Sequence, residues 1–335
     1  MRHLLSALVF AFTLGAAAPA LGQEARSAPA WSEQLQESIP PFPATYTTVK
    51  APWLRVHGHP DQLDAMMRVA DHGAEALPRL AERLGVPVGT TVQIVVASTD
   101  AEFRALQPGR APTWADAVAY PALGVIYLRA PSARGGDQAP IEQVLDHELV
   151  HVLLGRAFAP ARPPSWLQEG VAQVLAGEAG PELAGQIATG MATGGLIDLS
   201  TLERGFPRDA RRAQLAYAQS ADFVAWLEDQ HGDDVIPRLV QHTREGNTLA
   251  ASVRHVTGDF LEEVEARWRR RFTANTTFAL SGLFNEGLLF SVGGLMLAVG
   301  GVQRKRQFRR RMVELEAEEA AIDRLAAEVA LRRSA

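Results

Sequence analysis

The sequence predicts an α+β fold: a small N-terminal sheet, then a mainly helical C-terminal part, then one transmembrane helix. Three observations carry this. β-Branched and apolar runs fall in the first part of the chain, TTVQIVVAST at 90–99 the clearest of them. From Asp137 onward the chain reads as helices separated by Pro and Gly. Near the far end lies LFNEGLLFSVGGLMLAVGGV, Leu283 to Val302, about the ~20 residues that cross a bilayer. Strands first and helices afterwards argue against an alternating α/β sheet.

In chain order, residues 1–22 read as a signal peptide. They have a short basic start, an apolar run from Leu4 to Leu14, and small residues up to Gly22. Residues 23–45 are rich in Ala, Pro and Ser and read as a linker. A folded domain is expected over 46–275. In it, YTTVKAPWLRVHG alternates as one or two strands, and PDQLDAMMRVADHGAEALPRLAERLG has helical period up to Gly85. The 90–99 run is a strand. APTWADAVAYPAL, with Pro near both ends, reads as a loop before a further strand, GVIYLRA.

A transmembrane helix is expected over 280–303. Asn285 and Glu286 fall ~24 Å from its Val302 end at helical rise, at the interface and not at mid-bilayer. QRKRQFRRR follows, with six basic residues, a block that stays in the cytoplasm. The tail, 304–335, has Leu315, Ile322 and Val329 seven apart, which suits a solvated helix with weak self-association at most. The expected topology is that of a single-pass protein of a bacterial inner membrane. Its main domain is periplasmic or extracellular and its C-terminus cytoplasmic.

Composition narrows the chemistry. The chain has 335 residues, 47% of them hydrophobic, and a net charge of -5. Mild acidity carries no footprint of nucleic acid as a partner. There is no cysteine, which excludes disulfides, thiolate metal sites and a cysteine nucleophile. A metal ion would have to be held by His, Asp or Glu.

One stretch supplies such groups. In DQAPIEQVLDHELVHVLLG, Pro140 suits a first helical turn and Gly155 a stop. On that helix His147 and His151 lie one turn apart on one face. Both imidazoles can ligate one ion. Glu148 is set to the side, where it can take a proton from metal-activated water. Leu145, Leu149, Val152 and Leu153 fall on the opposite, core-facing side. The bland alternative is two satisfied histidines on a buried helix. What decides is a third ligand, since catalytic zinc keeps three protein ligands. Glu169 follows His151 by 18 positions, after a Pro-Pro break that returns the chain, with Gly170 beside it where two helices can approach.

HELVH followed by WLQEGVAQ resembles the gluzincins, and in particular the bacterial peptidase MA-like metallopeptidases. YAQSADFVAWLEDQHGDD, VRHVTGDFLEEVEARWRRRF and PTWADAVAYPALGVIYLRAP are similar to further segments of that family, so that the likeness spans roughly Tyr46 to Phe272. The resemblance implies Zn2+ held by His147, His151 and Glu169, with Glu148 as general base and later proton donor. It also implies Tyr217 as a donor to the oxyanion. Gln173, one turn after Glu169, is positioned to orient a ligand histidine. Gly124, Val125, Ile126 and Tyr127 are expected to form an edge strand over the zinc cleft, where an extended peptide could add by main-chain hydrogen bonds. His57 and His59 read as solvated turn residues, and His72, His231, His242 and His255 have no partner at ligand spacing.

The expected function is a membrane-anchored zinc metallopeptidase acting on a peptide or protein substrate. An endopeptidase is favoured, because no acidic cluster is available to anchor a free N-terminal amine. The alternative is a non-catalytic, zinc-containing binding or scaffold protein on the same fold.

Overall fold

The computed structural model describes residues 41–108, 115–134, 139–180, 182–207 and 209–272. The expected signal peptide at 1–22, most of the expected linker, the apolar stretch over 280–303 and the tail lie outside them. Among the described residues no helix is long and apolar enough to cross a membrane.

β1 (Thr47–Ala51) and β2 (Leu54–Gly58) form an antiparallel hairpin, with Val49 opposite Val56. α1 (Leu63–Arg83) then crosses over, and β3 (Val92–Ala97) returns parallel to β2. α1 lays Met66, Val69, Leu77 and Leu80 on the sheet and stops just before Gly85, whose φ of 65° a helix cannot use. β3 is apolar along its length because both its faces are covered. Ile94 and Val96 face the main core, whereas Val95 and Ala97 join Phe103 and Tyr127 in a second cluster. Phe103 comes from α2 (Asp100–Ala105), which Thr99 caps by accepting from the Glu102 N–H.

The far side of the sheet differs from the sequence expectation. AVAY within the expected loop is a strand, β4 (Ala117–Tyr120), antiparallel to β5 (Val125–Arg129). The order is β1-β2-β3-β5-β4, so β5 is interior and β4 is the edge. Every residue of β5 is buried. Gly124, Val125, Ile126 and Tyr127 are therefore not an edge strand. Val125, Ile126 and Tyr127 pair with β3 and β4, Gly124 gives its N–H to the Pro121 carbonyl in the turn, and a continuous apolar run marks a strand with neighbours on both sides.

The helical part begins with α3 (Ile141–Phe158), which Pro140 precedes. α3 does not stop at Gly155. The glycine is needed inside the helix instead, because a Cβ there would meet Pro121 at 2.3 Å. α4 (Ser165–Leu175) starts directly after Pro163-Pro164. α5 (Glu182–Thr193), α6 (Ala210–His231), α7 (Val235–Arg244), α8 (Leu249–Thr257) and a closing helix over 261–272 follow. α6 packs closely on α4. A Cβ on Gly170 would lie 2.5 Å from the Ser220 carbonyl oxygen, so the close approach made at Gly170 is to α6 and not to α3. Trp166, Phe223 and Trp268 meet edge-to-face behind this contact, and the Trp268 Nε1–H donates to Asp222 at 2.8 Å.

Candidate metal centre

α3 is enclosed on most of its circumference. Leu145, Leu149, Val150, Val152 and Leu154 are fully buried. Polar side chains on such a helix are costly unless they find partners. Asp146, His147, Glu148 and His151 each sit in this setting, and three of them converge with α4.

His147 and His151 stand one turn apart, with ring centroids 4.7 Å apart and planes at 76°. Glu169 reaches across from α4. One of its oxygens is 3.5 Å from His147 Nε2 and the other is 3.8 Å from His151 Nε2. One ligand atom from each of the three residues lies within 4.8 Å of the others. Among the described residues this is the one such cluster able to hold a metal ion. Two imidazole nitrogens and a carboxylate oxygen match the donor set of a three-ligand zinc site. The Nδ1 of His151 is buried and makes no hydrogen bond among the described residues. That leaves Nε2, facing Glu169, as the polar end through which this ring is engaged.

The electrostatics fit a site that gathers opposite charges. Burial works against a charged His147, but the carboxylates of Glu178 and Glu169 outweigh it and raise its pKa well above the usual imidazole value. Burial lowers His151 to about 4, against the pull of the Glu169 carboxylate. Burial also disfavours the Glu169 carboxylate, yet His151 and His147 more than compensate and its pKa falls. Glu148 is buried beside them. Burial pushes its carboxyl up to about 7, against the pull of His147 and of a backbone hydrogen bond from Ala119 on the edge strand β4.

Two partners were not foreseen from sequence. Glu178, in the turn after α4, accepts at 3.1 Å from the Nδ1 side of His147. Asp146 is held from α1 by His72 at 2.7 Å and by Arg79 at 2.8 Å, a hydrogen-bonding role for His72 and not a ligand one. The signal for Glu178 is a lone carboxylate just beyond Gly177, which is legible only once the turn is seen to face α3.

Gln173 does not touch a ligand histidine. Its Nε2 donates to the backbone oxygens of Glu169 and Tyr217, each at 3.2 Å, and so ties α4 to α6. Tyr217 is thereby held next to the ligand-bearing turn of α4, and its ring packs edge-on against Phe206 with centroids 4.6 Å apart. His57 lies within β2, between Thr48 at 2.9 Å and Gln93 at 2.6 Å, and not in a solvated turn. His242 and His255 stack with centroids 4.2 Å apart on the α7–α8 pair.

The family pattern described as the peptidase MA superfamily matches residues 72–274, which is more than half of the chain and includes both histidines and Glu169. The chain belongs to the peptidase MA superfamily. No curated protein matches it. Among solved structures, it is similar to native leukotriene A4 hydrolase from Saccharomyces cerevisiae. Identity is 13%, 67% of this chain and 39% of that one are covered, and the TM-score is 0.44. It is also similar to the M1 zinc metallopeptidase from Deinococcus radiodurans, with 16% identity, 67% and 50% coverage, and a TM-score of 0.41. This member of the superfamily thus spans half or less of the length of those two proteins.

Proposed function

We propose that the chain is a membrane-anchored zinc metallopeptidase that hydrolyses peptide bonds within a peptide or protein substrate. The observation that carries this is the convergence of His147, His151 and Glu169 from two helices, with the buried Glu148 carboxyl beside them.

His147, His151 and Glu169 would hold the ion. Bound zinc would act as a Lewis acid, making water acidic enough to lose a proton near neutral pH. Glu148 accepts that proton and passes it to the leaving amine. Its surroundings suit the task, since a carboxyl pushed up towards neutrality both takes and returns a proton. The Ala119 N–H meets this carboxyl from β4, which brings the sheet edge alongside the reacting groups. An extended substrate adding to β4 would be presented to Glu148. Tyr217 is assigned as the donor to the developing oxyanion, supported by its place on the helix that Gln173 binds to the Glu169 turn.

Two charges support an endopeptidase. An aminopeptidase needs an uncommitted carboxylate for the substrate amine. Asp116, next to β4, is buried against Arg134 at 3.0 Å, and Glu178 is engaged by His147. Membrane anchoring and an extracytoplasmic domain rest on the signal-like start and on the apolar stretch with its basic flank.

The test is to measure zinc by mass spectrometry on the purified full-length chain and to assay a broad peptide library with wild type and Glu148→Gln. Zinc at one equivalent, cleavage by wild type, and none by the variant is the expected result. Zinc without any cleavage would favour the binding-protein alternative, and no zinc would defeat both.

A further inference from the structure

We infer that Glu178 is the positioning residue that fixes His147 for the metal. It acts by holding the ring's Nδ1–H so that Nε2 is presented to Glu169 and His151. The inference rests on the metal reading above.

The geometry begins with the 3.1 Å separation between His147 Nδ1 and Glu178 Oε1. A carboxylate can only accept here, so Nδ1 must carry the hydrogen, and in the neutral ring that a metal ion requires Nε2 carries the lone pair. Nε2 is the atom that lies 3.5 Å from Glu169. The same contact therefore sets both tautomer and ring orientation, the two properties a metal-ligating imidazole needs fixed. His151 has no such support, because its Nδ1 is buried without a hydrogen bond among the described residues. The pair is asymmetric, and the oriented member is His147.

Glu178 is itself held in place. Gly177 turns the chain with φ 70°, and a Cβ there would meet nothing within 4 Å, so this glycine serves its backbone angle and not a close contact. The Glu178 N–H then donates to the Gln173 carbonyl at 2.8 Å. From α3, Gln143, one turn before His147, donates to the Ala176 carbonyl at 3.1 Å. The turn after α4 is thus docked on the histidine face of α3 at two points. Only one of them touches a ligand.

That difference makes the inference testable. Metal-free full-length wild type, Glu178→Ala, Glu178→Gln and Gln143→Ala are titrated with Zn2+ against a chromogenic chelator. The visible spectrum of each Co2+ form and the thermal midpoint of each metal-free form are recorded in parallel. Glu178→Ala is expected to bind Zn2+ about 10–100-fold more weakly, with an altered Co2+ spectrum and little change in midpoint. Glu178→Gln keeps an oxygen that can accept from Nδ1–H and is expected to recover most of the affinity. Gln143→Ala loosens the same turn without touching His147 and is expected to stay within a few-fold of wild type. Affinity of Glu178→Ala within twofold of wild type overturns the inference while leaving the metal reading intact. An equal loss in Gln143→Ala overturns it too, by reducing Glu178 to a docking contact. If Glu178→Ala does not fold, Glu178→Leu, which keeps the bulk of the side chain but offers Nδ1–H no acceptor, is read in its place with the same outcomes. A wild type that binds no zinc overturns both readings.

Discussion

Asp146 Oδ1 lies 2.7 Å from His72 Nε2, and the other oxygen of the same carboxylate accepts from Arg79 at 2.8 Å. The residue just before the first ligand histidine is thus clamped to α1. Asp146→Ala is expected to cost roughly 1–3 kcal/mol, because His72 loses its acceptor while the more exposed Arg79 rehydrates. Asp146→Asn should recover part of this. Urea unfolding of the metal-free chain measures it, and an unshifted midpoint for Asp146→Ala would contradict the clamp.

Gly170→Ala forces a methyl group to within 2.5 Å of the Ser220 carbonyl oxygen, and backbone is a poor place to yield. The helices must separate, at a cost of roughly 1–3 kcal/mol. Because Glu169 is the next residue, zinc affinity should fall together with the thermal midpoint. A midpoint that drops with affinity unchanged would show that α4 moves without carrying Glu169 away.

Removing the metal should lower stability only where the ligands are intact. Zinc at a hundredfold excess over its dissociation constant stabilises by about 2.7 kcal/mol. In a domain of this size each kcal/mol moves the midpoint by about 2–4 °C. EDTA should therefore lower the midpoint of wild type and leave that of His151→Ala unmoved. Equal shifts in both would place the ion elsewhere.

Tyr217→Phe tests the oxyanion assignment. The expected outcome is a fall in kcat of about 100- to 1,000-fold with zinc content unchanged. Full activity would return Tyr217 to a packing role against Phe206.

His57 should give stability a pH dependence of its own. Burial, aided by the Arg55 charge, lowers its pKa below the usual value despite the Gln93 hydrogen bond. A depressed imidazole leaves stability intact above the unfolded pKa of about 6.5 and removes it as pH falls through the folded value. Between pH 7 and 5, wild type should lose stability more steeply than His57→Gln. Parallel curves would mean that the ring protonates as easily folded as unfolded.

What was legible in the sequence follows from how local each feature is. His147, Glu148 and His151 are fixed by one helical turn, so their spacing suffices. Glu169 needed one more inference, that Pro163-Pro164 turns the chain back. Glu178 could not be found this way, because its reach depends on a glycine turn meeting another helix. The edge of the sheet was misplaced because AVAY is short and precedes Pro121, which looks like a loop. Yet VIYLR carries apolar residues on both faces, a pattern suited to an interior strand, and AVAY was the remaining segment able to cover it.

The tether between the two ligand-bearing helices has a consequence of its own. From Phe158 to Ser165 the chain reads APARPP, with three of its positions proline and so fixed in φ. Such a connection holds Glu169 near the histidine pair at a high effective concentration, so that the third donor closes the chelate with little entropy left to lose. Lengthening it with glycine would leave every ligand in place and still weaken the grip on the ion.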